Sequence, residues 1–260
     1  MVSGEGFVGG RRAHERPGLY DIRRLRLHSR DSRDGSGALT RLGEEAKRYT
    51  IAEEIAHSIT HGVGLLLGIA AQVLLIVFAV RYSTPTAVVA ASIYGSTLVL
   101  LYAASTLYHA LPRGRAKRVF EILDHSAIFL LIAGTYTPYT LVKMPTGWGW
   151  SLFGVIWGLA ALGITFEAVF RGRGRKIQLA LYLIMGWMIV IALRPLLGSL
   201  PTAGIVLLGL GGLCYTLGVV FYRWHSLRFH HAVWHVFVLA GSLLHVFSVL
   251  FYVVGPRSGD

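Results

Sequence analysis

The sequence predicts an all-α membrane protein, a bundle of seven transmembrane helices. Of its 260 residues 54% are hydrophobic and 15% are charged, whereas a soluble domain carries about a quarter charged residues. The apolar residues form seven blocks of about 20 residues, the length that crosses about 30 Å of hydrocarbon as a helix. Strands of a membrane barrel would instead alternate apolar and polar residues.

Each block is predicted to be a helix, because a segment in a bilayer must satisfy its own backbone hydrogen bonds. A short amphipathic stretch at residues 50–58 leads into the first block. The predicted helices are 59–80, 87–109, 119–142, 148–170, 177–197, 202–222 and 231–254. Residues 1–48 are polar, rich in Arg and Gly, and without an apolar run, which predicts a disordered basic cytoplasmic arm before the seven-transmembrane domain at residues 49–260.

The basic residues outside the helices lie mainly on one side of this topology. Of the 25 Lys and Arg residues, 21 lie in the N-terminal arm and in the loops after the second, fourth and sixth helices. The positive-inside rule therefore predicts a cytoplasmic N-terminus and an external C-terminus. The same asymmetry explains the net charge of +12 without a nucleic-acid partner.

Polar side chains cluster at the predicted cytoplasmic ends of the helices, where ionisable groups are costly and usually mark function. Ser105 and His109 lie four residues apart near the end of the second helix, and His231 and His235 open the seventh at the same spacing. Such pairs share a helix face. Asp124 opens the third helix. Because the second helix ends on the side where the third and seventh begin, all five lie at similar depth.

This arrangement predicts a zinc site. Three imidazoles and a water are a common catalytic zinc set, and neutral imidazole suits a place where charge is costly to bury. His109, His231 and His235 are the candidate ligands. Asp124 can orient or deprotonate a bound water, whose pKa zinc lowers to about 7, and Ser105 can hydrogen-bond a carboxylate or a substrate carbonyl. The alternative for each histidine is an amphipathic side chain at the membrane interface.

Four further residues lie beside this predicted site. Glu53, His57 and His61 are spaced by four residues where the chain reaches the first helix, and His230 precedes the seventh. We interpret them as groups that contact the zinc ligands rather than the ion.

Helix geometry excludes two other histidines from the predicted zinc site. His125 lies about 100° around the helix from Asp124, so the two side chains cannot face one site. His245 is ten residues beyond His235, about 15 Å deeper along a helix, and cannot share its metal.

Several ordered segments resemble motifs of the bacterial hemolysin III family, which is similar to the progestin and adipoQ receptors. The resemblance covers residues 50–254 and rests on residues 53–56 (EEIA), 60–62 (THG), 104–109 (ASTLYH), 124–125 (DH), 133–138 (AGTYTP) and 231–235 (HAVWH). Together with alkaline ceramidases these proteins form a superfamily of membrane hydrolases. The resemblance implies seven helices, a cytoplasmic N-terminus, a zinc ion held by His109, His231 and His235, and an acid and a serine at Asp124 and Ser105.

Two positions depart from the family pattern. His57 and His230 stand where the family usually has Asn. Either residue can add a hydrogen bond or bring an extra imidazole that competes for the metal.

The leading hypothesis is a zinc-dependent hydrolase in a bacterial inner membrane, acting on a lipid amide that reaches it from the cytoplasmic leaflet. A second hypothesis is a lipid-sensing receptor in which zinc is structural. A third is a cytolytic or transport protein, although the predicted helices carry no trail of charges through both leaflets.

Overall fold

The computed structural model describes residues 49–170 and 174–256, and within these ranges the regular structure is entirely helical. These residues include seven helices that are long and apolar enough to cross a membrane. They are α1 (Ile51–Tyr82), α2 (Pro85–Ala110), α3 (Arg115–Lys143), α4 (Thr146–Phe170), α5 (Arg175–Leu197), α6 (Thr202–Arg223) and α7 (His230–Tyr252). The predicted class, a multi-pass helical membrane protein, is confirmed, while the predicted arm at residues 1–48 lies outside the described residues.

The start of α1 differs most from the sequence-based boundaries. The helix begins at Ile51, so the amphipathic stretch forms its first turns and is not a separate element. Thr50 and Glu53 form a capping box there, in which each side chain accepts a hydrogen bond from the backbone N–H of the other. The resulting helix of 32 residues measures about 48 Å, longer than the hydrocarbon core, and its first turns carry acids and histidines.

Two of the spans are irregular. In α3 the α-helix ends at Pro138 and continues as a π-helical turn at Tyr139–Lys143. In α5 a 3₁₀ segment at Met188–Ala192 interrupts the α-helix. The Tyr136 hydroxyl lies 2.8 Å from the Met185 carbonyl oxygen and accepts from the Ile189 N–H at 2.8 Å. This side chain therefore satisfies backbone groups that would be costly to leave unpaired in a membrane.

The helices pack unevenly around the bundle. Along the chain α1 packs against α2, α2 against α3, and α6 against α7. Close approach depends on small residues, since a Cβ at Gly64 would lie 2.5 Å from the Tyr102 ring and one at Gly241 would lie 2.9 Å from the Tyr215 ring. By contrast, only 17% of the apolar window of α5 is buried, and this helix forms one wall of an internal cavity.

Candidate metal centre

Three histidines meet at one end of the bundle, where α2 ends and α7 begins. His109 comes from the last turn of α2, and His231 and His235 come from the first turns of α7. One ring nitrogen from each lies within 4.8 Å of the others, so the group can hold a metal ion. His109 and His235 are buried and His231 is half-buried. We call these residues the histidine triad.

Hydrogen bonds define the tautomers of two triad members. His109 Nδ1 lies 2.7 Å from Glu54 Oε2, and His235 Nδ1 lies 3.1 Å from Thr60 Oγ1 and 3.3 Å from the His57 carbonyl oxygen. Carboxylate and carbonyl oxygens only accept, so Nδ1 carries a hydrogen in both rings and Nε2 is the nitrogen left to face a metal ion. Metal-binding histidines are typically held in this way. The donor set therefore fits a metal ion.

The acid that supports the triad is Glu54, not the predicted Glu53. Glu53 accepts hydrogen bonds at the start of α1, from Thr50 at 2.9 Å, and from the Phe229 N–H at 3.4 Å. Glu54 binds His109 through one oxygen and Lys117 Nζ, at 2.9 Å, through the other. Adjacent residues point about 100° apart on a helix, so the choice between them depends on the rotation of α1 about its axis.

The other three residues predicted beside the ligands differ in their contacts. The ring of His57 is fully buried and lies among the rings of the triad. His61 stacks on His235 with 3.5 Å between ring centroids. His230 turns toward α6, where its Nδ1 donates to the Phe221 carbonyl oxygen at 3.2 Å.

Asp124 and Ser105 are both buried and border a small polar cavity of about 60 Å³. His61, His231 and His235 also line this polar cavity. Asp124 lies close enough to Ser105 and His109 to interact with both. The sequence-predicted acid and serine are thus brought to the same space as two members of the triad.

A second, apolar cavity of about 300 Å³ lies between α3, α5, α6 and α7. The two cavities abut, since both are lined by Ile128, Leu179, Tyr182, Trp234 and Val238. The sequence did not predict this apolar cavity, because the residues that line it have the same hydropathy as those of any membrane-spanning helix.

The two histidines excluded on geometry make other contacts. His125 Nδ1 lies 3.2 Å from Glu167 Oε1, and Gln178 donates to the same carboxylate. His125 lines the same polar cavity as Asp124, so the expectation that these two side chains cannot face one site is wrong. His245 Nε2 donates to the Leu208 carbonyl oxygen at 3.0 Å and lines the apolar cavity.

Replacing Glu54 with glutamine is expected to weaken Zn²⁺ binding about 10–100-fold, the usual effect of losing the carboxylate that orients a ligating histidine. The amide can still accept from His109 but carries no charge. Affinity is measured by competition with a chromophoric chelator in detergent. Glu53→Gln is the matched control, since it changes the cap of α1 and should leave the affinity unchanged. Equal affinities for the two variants would contradict this role of Glu54.

The bundle and its buried imidazoles define a multi-pass membrane protein with a site that can bind a metal ion. The family described as Haemolysin-III related matches residues 49–246, and the chain belongs to this family.

Relatives from bacteria match almost over their full length. The hemolysin-3 homolog of Bacillus subtilis (strain 168) is 48% identical over 206 residues, which cover 79% of this chain and 97% of that protein. Hemolysin-3 of Bacillus cereus is 47% identical and covers 83% of this chain and 99% of its own. The human monocyte to macrophage differentiation factor is 28% identical over 64% of this chain and 71% of its own. No solved structure matches the chain.

Proposed function

We propose that the protein is a zinc-dependent hydrolase that cleaves the amide bond of a membrane lipid. The observation that carries this proposal is that two cavities of different polarity share a wall. A polar cavity bordered by His231, His235, Asp124 and Ser105 abuts an apolar cavity of about 300 Å³. A lipid amide has the same two parts, a polar reacting group and an acyl chain.

The residues have distinct roles in this proposal. His109, His231 and His235 hold the ion through neutral imidazole nitrogens. Zinc, when bound, polarises a carbonyl oxygen and lowers the pKa of a bound water to about 7. A carboxylate oxygen of Asp124 takes the proton of the attacking water and returns it to the leaving amine nitrogen, as a general base and then acid. We assign to Ser105, which lies close enough to Asp124 to interact with it, the role of orienting this carboxylate.

The apolar cavity offers space for the acyl chain but contributes little free energy to its binding. Its volume of about 300 Å³ is at the lower end of the range of ligand pockets, about 300–1,000 Å³. In a bilayer the chain leaves one apolar environment for another, so there is little hydrophobic gain. Selectivity must therefore come from the polar end, where His231, His235, Asp124 and Ser105 would meet the head of the lipid.

We place this site at the cytoplasmic side of a bacterial plasma membrane. The triad lies at the end of the bundle where α1, α3 and α7 begin, and 21 of the 25 Lys and Arg residues belong to that side by the positive-inside rule. Lys117 and Arg175 lie at this end and pair with Glu54 and Glu121. The substrate would therefore come from the inner leaflet.

A second candidate function is a lipid-sensing receptor with a structural metal. The observation that favours it is the burial of His57 among the triad rings, because a fully occupied coordination sphere is typical of structural zinc. A cytolytic role is the third candidate function, and its support is the name hemolysin-3 carried by two relatives.

Hydrolysis of a fluorescent ceramide by purified protein in detergent tests the proposal. Asp124→Asn is expected to lower kcat about 10²–10⁴-fold, as loss of a general base does, with zinc content unchanged. Glu121→Gln on the same helix is the control, since Glu121 pairs with Arg175 at 3.2 Å and lies outside the triad. Zinc-depleted protein that hydrolyses the amide at the full rate would overturn the proposal.

A further inference from the structure

The ring of His57 is placed almost symmetrically with respect to the triad. Its centroid lies 4.7 Å from that of His109, 4.8 Å from that of His231 and 5.4 Å from that of His235. The three triad centroids are separated from one another by 4.5, 5.2 and 5.3 Å. His57 is therefore as close to each triad ring as those rings are to each other.

These distances match four imidazoles around one tetrahedral ion. An imidazole nitrogen binds zinc at about 2.0–2.1 Å, so its ring centroid lies about 3.2 Å from the metal. Two such rings at a tetrahedral angle have centroids about 5 Å apart. All six separations among the four rings fall between 4.5 and 5.4 Å.

We propose that His57 is a fourth ligand of the metal and takes the position that water occupies in a three-histidine site. This inference rests on the proposed function, because it requires zinc at the triad. A ring nitrogen of His57 lies within 4.8 Å of a ring nitrogen of His109, in a group that also includes a carboxylate oxygen of Glu54. Binding to the ion requires the His57 ring to rotate about the bond from Cβ to the ring, and such rotations of histidine are soft.

The neighbouring histidines do not compete for this role. The rings of His61 and His235 are nearly parallel, at 13°, with centroids 3.5 Å apart. Two rings stacked so closely cannot both point a nitrogen at one tetrahedral ion. The centroid of His230 is 6.2 Å from that of His231, and its Nδ1 bonds to Phe221. Of the two positions that depart from the family pattern, the geometry selects His57.

The backbone of His57 also supports the site. Its carbonyl oxygen accepts from His235 Nδ1 at 3.3 Å and from Thr60 Oγ1 at 2.9 Å. One residue of α1 thus orients a ligand from α7 through its carbonyl and offers its own ring to the same ion. Two carboxylates, those of Glu54 and Asp124, lie beside the four neutral imidazoles and offset the charge of a divalent cation.

A fourth imidazole changes what the site does at rest. With three ligands a water completes the sphere and can react, whereas with four the sphere is closed. Water or a lipid carbonyl then reaches the metal only when His57 withdraws. In the proposed hydrolase His57 therefore controls access to the ion, whereas a His57 that never withdraws would make the metal structural, as in the second candidate function.

X-ray absorption at the zinc edge of the purified full-length protein tests this inference, because the scattering pattern of imidazole counts bound rings. We expect four imidazoles in the wild type and three, with one additional oxygen, in His57→Asn, with one zinc per chain in both. Cobalt substitution gives a second readout, since the visible spectrum of tetrahedral Co²⁺ shifts when nitrogen is exchanged for oxygen. His245→Asn is the control, since its ring bonds to the Leu208 carbonyl oxygen away from the triad, and it should retain four imidazoles.

The outcomes separate this inference from the proposed function. Wild-type protein with zinc bound by three imidazoles and an oxygen overturns the role of His57 and leaves the hydrolase proposal standing. Wild-type protein that binds no zinc overturns both. The wild-type count decides the matter even where a variant fails to fold, and size-exclusion chromatography monitors folding of the variants.

Discussion

His235→Ala is expected to abolish zinc binding at micromolar metal, with a loss of affinity greater than about 100-fold. Loss of an outer hydrogen-bond partner of a metal site typically costs about 10–100-fold, and this variant removes a ligand itself. It also removes the ring that bonds to Thr60 and the His57 carbonyl, so α1 and α7 lose a polar contact. Zinc per chain is measured by elemental analysis of protein purified in detergent.

Thermal unfolding gives a second measurement of the same variant. A ligand at about 100 times its dissociation constant stabilises the folded state by about 2.7 kcal/mol. Added zinc should therefore raise the unfolding temperature of the wild type and have no effect on His235→Ala. The control is His245→Ala, ten residues further along α7, whose ring bonds to Leu208. Retention of a full equivalent of zinc by His235→Ala would remove His235 from the ligand set.

Gly149→Ala is expected to give the largest loss of stability among single methyl additions in α4. A Cβ at this position would collide with the carbonyl oxygen of Thr140, which belongs to the π-helical turn that ends α3. Overpacking usually costs about 1–3 kcal/mol, and a backbone neighbour cannot rotate away as a side chain can. In a chain of this size each kcal/mol lowers the unfolding temperature by about 2–4 °C.

Gly147→Ala provides the matched control for that measurement. It lies two residues earlier in the same helix, and a Cβ there meets nothing within 4 Å. Alanine has the higher helix propensity, by about 0.8–1.0 kcal/mol in water, so this variant should be neutral or slightly more stable in detergent. Equal unfolding temperatures for the two variants would contradict the close packing of α4 on the π-helical turn.

The number of spans and the family could be predicted from the sequence because both depend on local patterns. Apolar blocks of membrane length predict helices whatever their neighbours are. The direction of each helix also places His109 at the same end of the bundle as His231 and His235, although more than a hundred positions separate them in the sequence. This is why the structure brings together the residues that hydropathy and spacing had selected.

Other features depend on how each helix is rotated about its axis and packed on its neighbours, which local sequence patterns do not predict. The acid that contacts His109 is Glu54 rather than Glu53, and the ring of His57 lies among the triad rings. Both features follow from the angle at which α1 packs on α2 and α7. A signal was available in retrospect, since Glu54 is three residues before His57 and faces α2 once α1 begins at Ile51. The 3₁₀ segment of α5 and the apolar cavity behind it follow from tertiary packing, and the hydropathy of α5 gives no sign of them.

The capping box of α1 has a consequence for how this segment can vary between related chains. The cap fixes the residue at which the helix begins, and from there the angles of Glu54, His57 and Thr60 around the axis are determined. One inserted residue between Thr50 and His57 would turn all three by about 100° and shift them about 1.5 Å. We therefore expect substitutions on the outer face, where Ile51 is 81% exposed, to disturb the site less than an insertion or a deletion. The geometry of the site thus depends more on the length of this short segment than on the identity of its outward-facing side chains.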